Sequence, residues 1–358
     1  MKMRSVAALV AATALVLAAC NGAEDPDVVP EDVPEETIPE DDDTDDTDDA
    51  ADDDRADWPD RLVLTLQPAE NPQDLIDDAQ ILGDLISERL GIEVEATVPD
   101  DYQAVIVALQ TGAADIGGGF GPVNVARAMD QAGAVPILQS ERFGEFLYVS
   151  QWFTNDPDTF CADDPVAETY ESDGEEYTML FCNGVNELQT SEDGPVGLDF
   201  LEFAGDVTIS FVAQGSASGQ VFPSFGLIQR GYDLGDLDTI IAGGHPESVL
   251  AVYNGDATIG VSFNDAREGL VSEVPDVGEQ VVVFAWSDPI PNDGFVMRGD
   301  LPESLREAVT EALLDIANDE VAGEVLRDLY NIDGFRRADP EDFENARQVD
   351  QQLGELLG

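Results

Sequence analysis

The stretch "RLVLTLQPAENPQDLIDDAQILGDLISERLGIEVEATV", Arg61 to Val98, reads as one βαβ unit. "RLVLTLQ" is an apolar run of strand length. The apolar residues of "DLIDDAQILGDLISERLG" recur at helical spacing and stop at Gly91, and "IEVEATV" returns to strand composition. The same alternation continues: "YQAVIVALQTG" predicts a helix, "AADIGGG" a short strand, "GPVNVARAMDQAG" a helix and "AVPILQ" a strand. Strands and helices that alternate in this way build an open, mainly parallel α/β sheet.

"EFLYVSQWF", Glu145 to Phe153, is an extended run suited to leaving this lobe. The alternation then resumes with "GLDFLEFAG", "VTISFVA", "SGQVFPSFGLIQRG", "DTIIAGG", "PESVLAVYNGD" and "ATIGVSF", and "VVVFAWS", Val281 to Ser287, carries the chain back. Three helical segments, "PESLREAVTEALLDIAN", "EVAGEVLRDLYN" and "PEDFENARQVDQQLGELL", are expected to pack on the first lobe. The reading is an α/β protein of two lobes, residues 61–147 with 287–358 and residues 148–286, joined by two crossings that make a hinged cleft. Ligands of open α/β sheets sit beyond the carboxyl ends of the strands, so the site is expected in those loops.

Lys2 and Arg4 precede the apolar run Val6 to Ala19, which is too short to span a membrane as a mature helix; residues 1–20 read as a signal peptide. "LAAC" resembles the lipobox of bacterial lipoproteins, which implies a lipid anchor at Cys20 and a place on the outer face of the bacterial cell membrane. A chance cysteine beside an ordinary cleavage site is the alternative. Residues 21–60, acidic and prolyl with almost no large apolar side chains, cannot bury enough surface to fold and read as a tether.

The chain carries 77 acidic residues against 15 Lys and Arg, a formal charge of −62, and Lys2 is its one lysine. Nucleic acid and anionic membrane surfaces are therefore excluded as partners. Cys161 and Cys182, the other two cysteines, are expected to form a disulfide outside the cytoplasm. By the loop-entropy model, closing that loop is worth about 3 kcal/mol. The enclosed "ADDPVAETYESDGEEYTMLF" has little helical or strand periodicity and is expected to be an insertion, about 154–195, without a core of its own. A metal at the cysteines is the alternative, with no histidine near them to support it.

"FVAQGSASGQVFP", Phe211 to Pro223, joins a strand to a helix through glycines and hydroxyls. Its free backbone N–H groups, the positive end of the helix dipole and the hydroxyls of Ser216 and Ser218 form an oxyanion site without adding charge. Read alone, the turn is better accounted for as a helix cap, Ser216 or Ser218 capping and Gly219 permitting a tight turn. A second mouth of this kind, "IIAGGHPESV", places His245, the one histidine, at the start of the next helix; a cap or surface role is again the alternative.

Together these features resemble the phosphonate-, phosphite- and phosphate-binding components of ABC importers, which have a type II periplasmic-binding fold. The likeness covers Arg61 to about Asn318. It is carried by "DYQAVIVALQTGAADIGGGFGP", "GSASG", "AGGHPESVLAVYNGDATIGVSFNDA" and "SDPIPNDGFVMRGDLP" in that order. The resemblance implies that Ser216, Ala217 and Ser218 hold phosphoryl oxygens, that Tyr102 and Tyr148 reach the ligand, and that His245 donates to it. It also implies that Asp265 and Asp293 surround the amine of an aminoalkylphosphonate. Both aspartates are equally readable as caps. Ala217 stands where the family usually has a hydroxyl, Val125 where many relatives have a tyrosine, and the cysteine-bounded insertion where relatives have a short connection.

A hydrolase is disfavoured because the centre of the would-be nucleophile elbow in "GSASG" is Ala217, and the order Ser, His, Asp is not that of α/β-hydrolases. The expectation is a monomeric binding protein without cofactor or metal. It closes on a phosphonate-type anion, an aminoalkylphosphonate before phosphite or phosphate, and delivers it to an ABC permease. A type II binding protein for another oxyanion or small organic ligand, or a ligand-sensing lipoprotein, is the alternative.

Overall fold

The computed structural model describes residues 55–68, 72–172, 175–185 and 195–357. Cys20 and nearly all of the expected tether lie outside the described residues. The opening unit is β1 (Arg61–Leu66), α1 (Pro72–Leu90) and β2 (Glu93–Thr97), with β1 and β2 parallel and Leu64 opposite Ala96. Then follow α2 (Tyr102–Thr111), β3 (Ile116–Phe120), α3 (Pro122–Ala132) and β4 (Ala134–Glu141).

The chain crosses through β5 (Leu147–Tyr148) into β6 (Ser150–Thr154), β7 (Val166–Ser172), β8 (Glu175–Phe181), β9 (Ile209–Phe211), α4 (Phe222–Gln229), β10 (Thr239–Ile241), α5 (His245–Tyr253), β11 (Ile259–Phe263) and β12 (Val282–Trp286). It returns through β13 (Ile290–Pro291) to β14 (Gly294–Arg298), α6 (Glu303–Asn318), α7 (Glu324–Tyr330), β15 (Gly334–Arg337) and α8 (Glu344–Leu357).

One sheet has the order β15-β4-β14-β3-β1-β2 and the other β10-β9-β11-β6-β12-β8-β7; the crossing strands β5 and β13 pair with each other, Tyr148 opposite Ile290. Each sheet buries its own core. In the first, Leu62, Leu64 and Leu66 meet the inner stripe of α1 and Leu305, Val309 and Leu313 of α6; in the second, Trp152, Ile209, Val261 and Phe284 close on one another. All of these side chains are at most 1% exposed. Burial at about 25 cal/mol per Å² of apolar surface makes such clusters the main favourable contribution to each lobe.

Three expectations change. β14 lies antiparallel between β3 and β4, so a returning segment completes the first sheet as well as covering it with helices. The Cys161–Cys182 disulfide is present, with Cα atoms 5.6 Å apart, but its loop is not without regular structure. β7 and β8 form an antiparallel hairpin with Thr169 opposite Thr178 and Tyr170 opposite Tyr177, and β8 joins β12, so that the hairpin extends the second sheet and β7 becomes its edge. Cross-strand aromatic and β-branched pairs supply what single-strand periodicity did not reveal. Finally, α8 packs on both lobes: Ala346, Val349 and Leu353 meet Val123 of α3 and also Ala217, Val221 and Phe222.

Candidate functional site

Among the described residues, the loops beyond the strand ends of both sheets enclose a cavity of about 40 Å³. At ~10–15 Å³ per water-sized group, this is room for about three or four such groups.

From the first sheet, Gln67 stands immediately after β1. Its Oε1 accepts from Gly121 N–H at 3.2 Å and from Asn124 Nδ2 at 2.6 Å, which turns its amide NH₂ toward the cavity as a donor. Gly121 caps α3 without a side chain; Pro122 brings no N–H and Asn124 N–H turns back to Gly121 O at 2.8 Å, so α3 presents chiefly its positive dipole end to the cavity wall. Tyr102, the first residue of α2, is buried beside them. Tyr330 closes the same wall: its ring lies on Gly119, where a Cβ would fall 2.4 Å from ring carbons, and its hydroxyl donates to Gln67 O at 2.7 Å. Gly119 has φ +63°, so glycine meets both the space and the backbone demand.

From the second sheet comes the serine turn. Ser216 Oγ accepts from Gly219 N–H at 3.1 Å, and Ser216 O accepts from Gln220 and Val221 N–H at 3.1 and 2.9 Å. The cap therefore leaves backbone donors over. The cap uses the later amides, and the N–H groups of Ala217 and Ser218, at the first two positions of the helical turn, remain to face the cavity. The missing hydroxyl at Ala217 removes no backbone donor. Only glycine fits at Gly219, where a Cβ would lie 2.4 Å from Val212 Cβ.

His245 opens α5, which has no side-chain cap, and its Nδ1 is 2.7 Å from Ser262 Oγ. Nε2 is the nitrogen left for the cavity. Burial first, and then the charge of Arg142, lower its pKa to about 3, so the imidazole is neutral. Tyr148, on the crossing strand, shares a hydrogen bond with the Ser218 side chain; burial and then Asp293 hold its phenol above the usual range, so it stays protonated.

The aspartates part company. Asp293 lines the cavity with Oδ2 3.4 Å from Arg142 Nη1, and burial raises its carboxyl against the opposing pull of Arg142. Asp265 does not line the cavity. Its Oδ2 is 2.5 Å from Nη2 of the fully buried Arg267, whose Nε lies 3.0 Å from both carboxylate oxygens, and Oδ1 also accepts from Gln151 Nε2 at 3.0 Å. Burial works to raise the Asp265 carboxyl, and the Arg267 charge and hydrogen bonds overcome it and hold it below the usual range. Asp265, expected beside a ligand's amine, is engaged in this local ion pair and is not among the residues that line the cavity.

Seven of the eight expected ligand residues converge: Tyr102, Tyr148, Ser216, Ala217, Ser218, His245 and Asp293. Gln67, Arg142, Phe263 and Tyr330 line the same cavity and were not anticipated. Gln67 is the last residue of the first predicted strand and Arg142 lies three residues beyond "AVPILQ"; both immediately follow observed strands, where the strand-end rule could have found them. Nothing local marks Tyr330, which lies 263 residues from its partner Gln67. Beside the cavity the lobes touch: a Cβ on Gly215 would lie 2.6 Å from Nη1 of Arg127, which is itself paired with Asp350 of α8.

The site offers neutral donors from two lobes, two uncapped helix ends and one internally paired arginine, a set suited to a small anion. Comparison with known proteins agrees. The family model described as "ABC transporter, phosphonate, periplasmic substrate-binding protein" matches residues 64–343. The phosphate-import protein PhnD of Mycolicibacterium smegmatis is 26% identical over 324 residues, covering 87% of this chain and 82% of that one. Among solved structures, a binding-protein component of an ABC phosphonate transporter from Pseudomonas aeruginosa superposes with TM-score 0.63 at 19% identity, covering 82% of this chain and 86% of the other. PhnD1 of Prochlorococcus marinus, in complex with methylphosphonate, gives TM-score 0.63 at 18% identity, with 82% and 98% covered. These likenesses identify the type II periplasmic-binding fold. The chain belongs to the phosphonate-binding family of periplasmic substrate-binding proteins of ABC transporters, a family of binding proteins and not of enzymes.

Proposed function

We propose that this protein captures a small phosphoryl anion in the cavity between its lobes, and that Ser216, Ala217, Ser218, His245, Tyr102 and Tyr148 hold it. As a member of its family it is an extracytoplasmic binding component that works with a membrane permease. The observation that carries the reading is the convergence of donors from both lobes on about 40 Å³, a volume suited to one tetrahedral oxyanion. An anion held first by the serine turn gains the Gln67, Tyr102 and Tyr330 side only when the lobes close, so binding selects the closed form a permease would read. Lipidation of Cys20 would keep the protein at the membrane face, and it is proposed to act as a monomer.

Within phosphoryl ligands, an aminoalkylphosphonate is supported by Asp293 alone, since Asp265 is bound to Arg267. The relative from M. smegmatis, named for phosphate import, supports an inorganic ligand. Calorimetric titration of the delipidated protein with phosphate, phosphite, methylphosphonate and 2-aminoethylphosphonate tests the assignment. Binding of one or more is expected, and failure to bind any of the four would overturn it.

A further inference from the structure

We propose that Arg142 sets the ligand class of this cleft: its guanidinium occupies the place beside Asp293 that a ligand's ammonium would need, so the site takes phosphoryl anions that carry no amine. This rests on the phosphoryl-anion reading above. The side chain is only 12% exposed, its Nη1 is 3.4 Å from Asp293 Oδ2, and the guanidinium carbon lies 5.4 Å from the centre of the Phe263 ring. Phe263 packs in turn on the His245 imidazole at 4.7 Å between ring centres. Arg142 is thereby fixed among the groups that meet the ligand.

The backbone makes this placement firm. Arg142 and Glu145 exchange N–H···O bonds of 2.9 and 3.0 Å around a two-residue turn in which Phe143 has φ +53° and Gly144 φ +79°. A left-handed conformation is costly for phenylalanine and persists only when the surroundings fix it. Asp333 Oδ2 does so by accepting from Phe143 N–H at 2.7 Å. The turn also sends Phe143 outward, 68% exposed, while Arg142 points inward.

Charge then decides. An ammonium group entering the cavity meets one carboxylate whose Oδ2 already faces Arg142 at 3.4 Å, and beside it a fixed cation that repels it. A phosphoryl group without an amine meets the same cation as an attraction, and no ligand charge has to displace Arg142 from Asp293. Like-charge juxtaposition is the usual means by which a site rejects a wrong partner.

Methylphosphonate and 2-aminoethylphosphonate share a headgroup and differ in the ammonium-bearing tail, so their affinity ratio, measured by calorimetry, is the readout. Wild-type protein is expected to prefer methylphosphonate about tenfold or more, and Arg142→Gln to shift the ratio toward the aminophosphonate by about tenfold. Arg142→Lys, which keeps the charge, is expected to keep the wild-type preference. A wild-type protein that binds 2-aminoethylphosphonate more tightly than methylphosphonate would overturn the inference without need of any variant, while leaving the anion site intact. So would an Arg142→Gln protein that weakens both ligands equally. A wild-type protein that binds no phosphoryl anion at all removes the underlying reading itself.

Discussion

Replacing Asp265 by asparagine separates a ligand group from a structural one. The substitution keeps the shape of the side chain and removes its charge. Arg267, with no exposed surface, then has no counter-charge and is left with a neutral amide oxygen, the carbonyls of Leu180 and Val281 at 3.0 and 2.6 Å, and the face of Phe181, 4.7 Å from its guanidinium carbon. Breaking a buried pair by removing one partner costs about 3–5 kcal/mol, because the remaining charge is stranded. Against a total stability of about 5–15 kcal/mol the loss is severe, and it corresponds to a fall of roughly 1–2 M in the urea midpoint. Trp152 and Trp286, both buried in the second sheet, report the transition by fluorescence. The double variant Asp265→Asn with Arg267→Met is expected to recover much of the loss, since methionine can cover Phe181 without a charge to solvate. Phosphate affinity of the folded single variant is expected to be unchanged, because Asp265 is absent from the cavity wall. A variant of undiminished stability that binds 2-aminoethylphosphonate less well would refute this reasoning and restore Asp265 to the cleft.

Three further outcomes are expected. Ser218→Ala removes a hydroxyl that serves both the ligand and Tyr148, and should weaken all phosphoryl ligands alike by about 1.5–3 kcal/mol in titration; equal affinities before and after would leave the turn as a cap only. His245 has a pKa of about 3 when folded and 6.5 otherwise, so between those values the unfolded chain takes a proton that the folded one refuses. Its contribution to stability is complete above pH 6.5 and declines by about 1.4 kcal/mol per pH unit as the pH falls toward 3. The stability difference between wild type and His245→Gln, from urea titrations across pH 8 to 4.5, should be flat and then fall; a line flat throughout would mean the imidazole is not held neutral. Reduction of Cys161–Cys182 should lower stability by about 3 kcal/mol while phosphate binding persists, because neither cysteine lines the cavity; lost binding would place the hairpin in the cleft's mechanics.

What sequence alone determined is what short-range chemistry determines. The βαβ beginning follows from periodicities of strand and helix that act within a few residues, and the serine turn from glycines and hydroxyls that are useful wherever a helix starts. The disulfide followed from there being two cysteines besides Cys20. Tertiary structure decided what depends on distant segments meeting. The insertion of β14 between β3 and β4 joins chain ends that no local pattern relates. Arg142 finds Asp293 across 151 residues, and Tyr330 finds Gln67 across 263. A local pattern states that a strand exists, not which strand lies beside it. The partner of a charge is fixed only once the chain has met the entropy of closing the loop between them. If Arg142 sets the ligand class as proposed, that class too hangs on one such long-range choice, the meeting of Arg142 with Asp293.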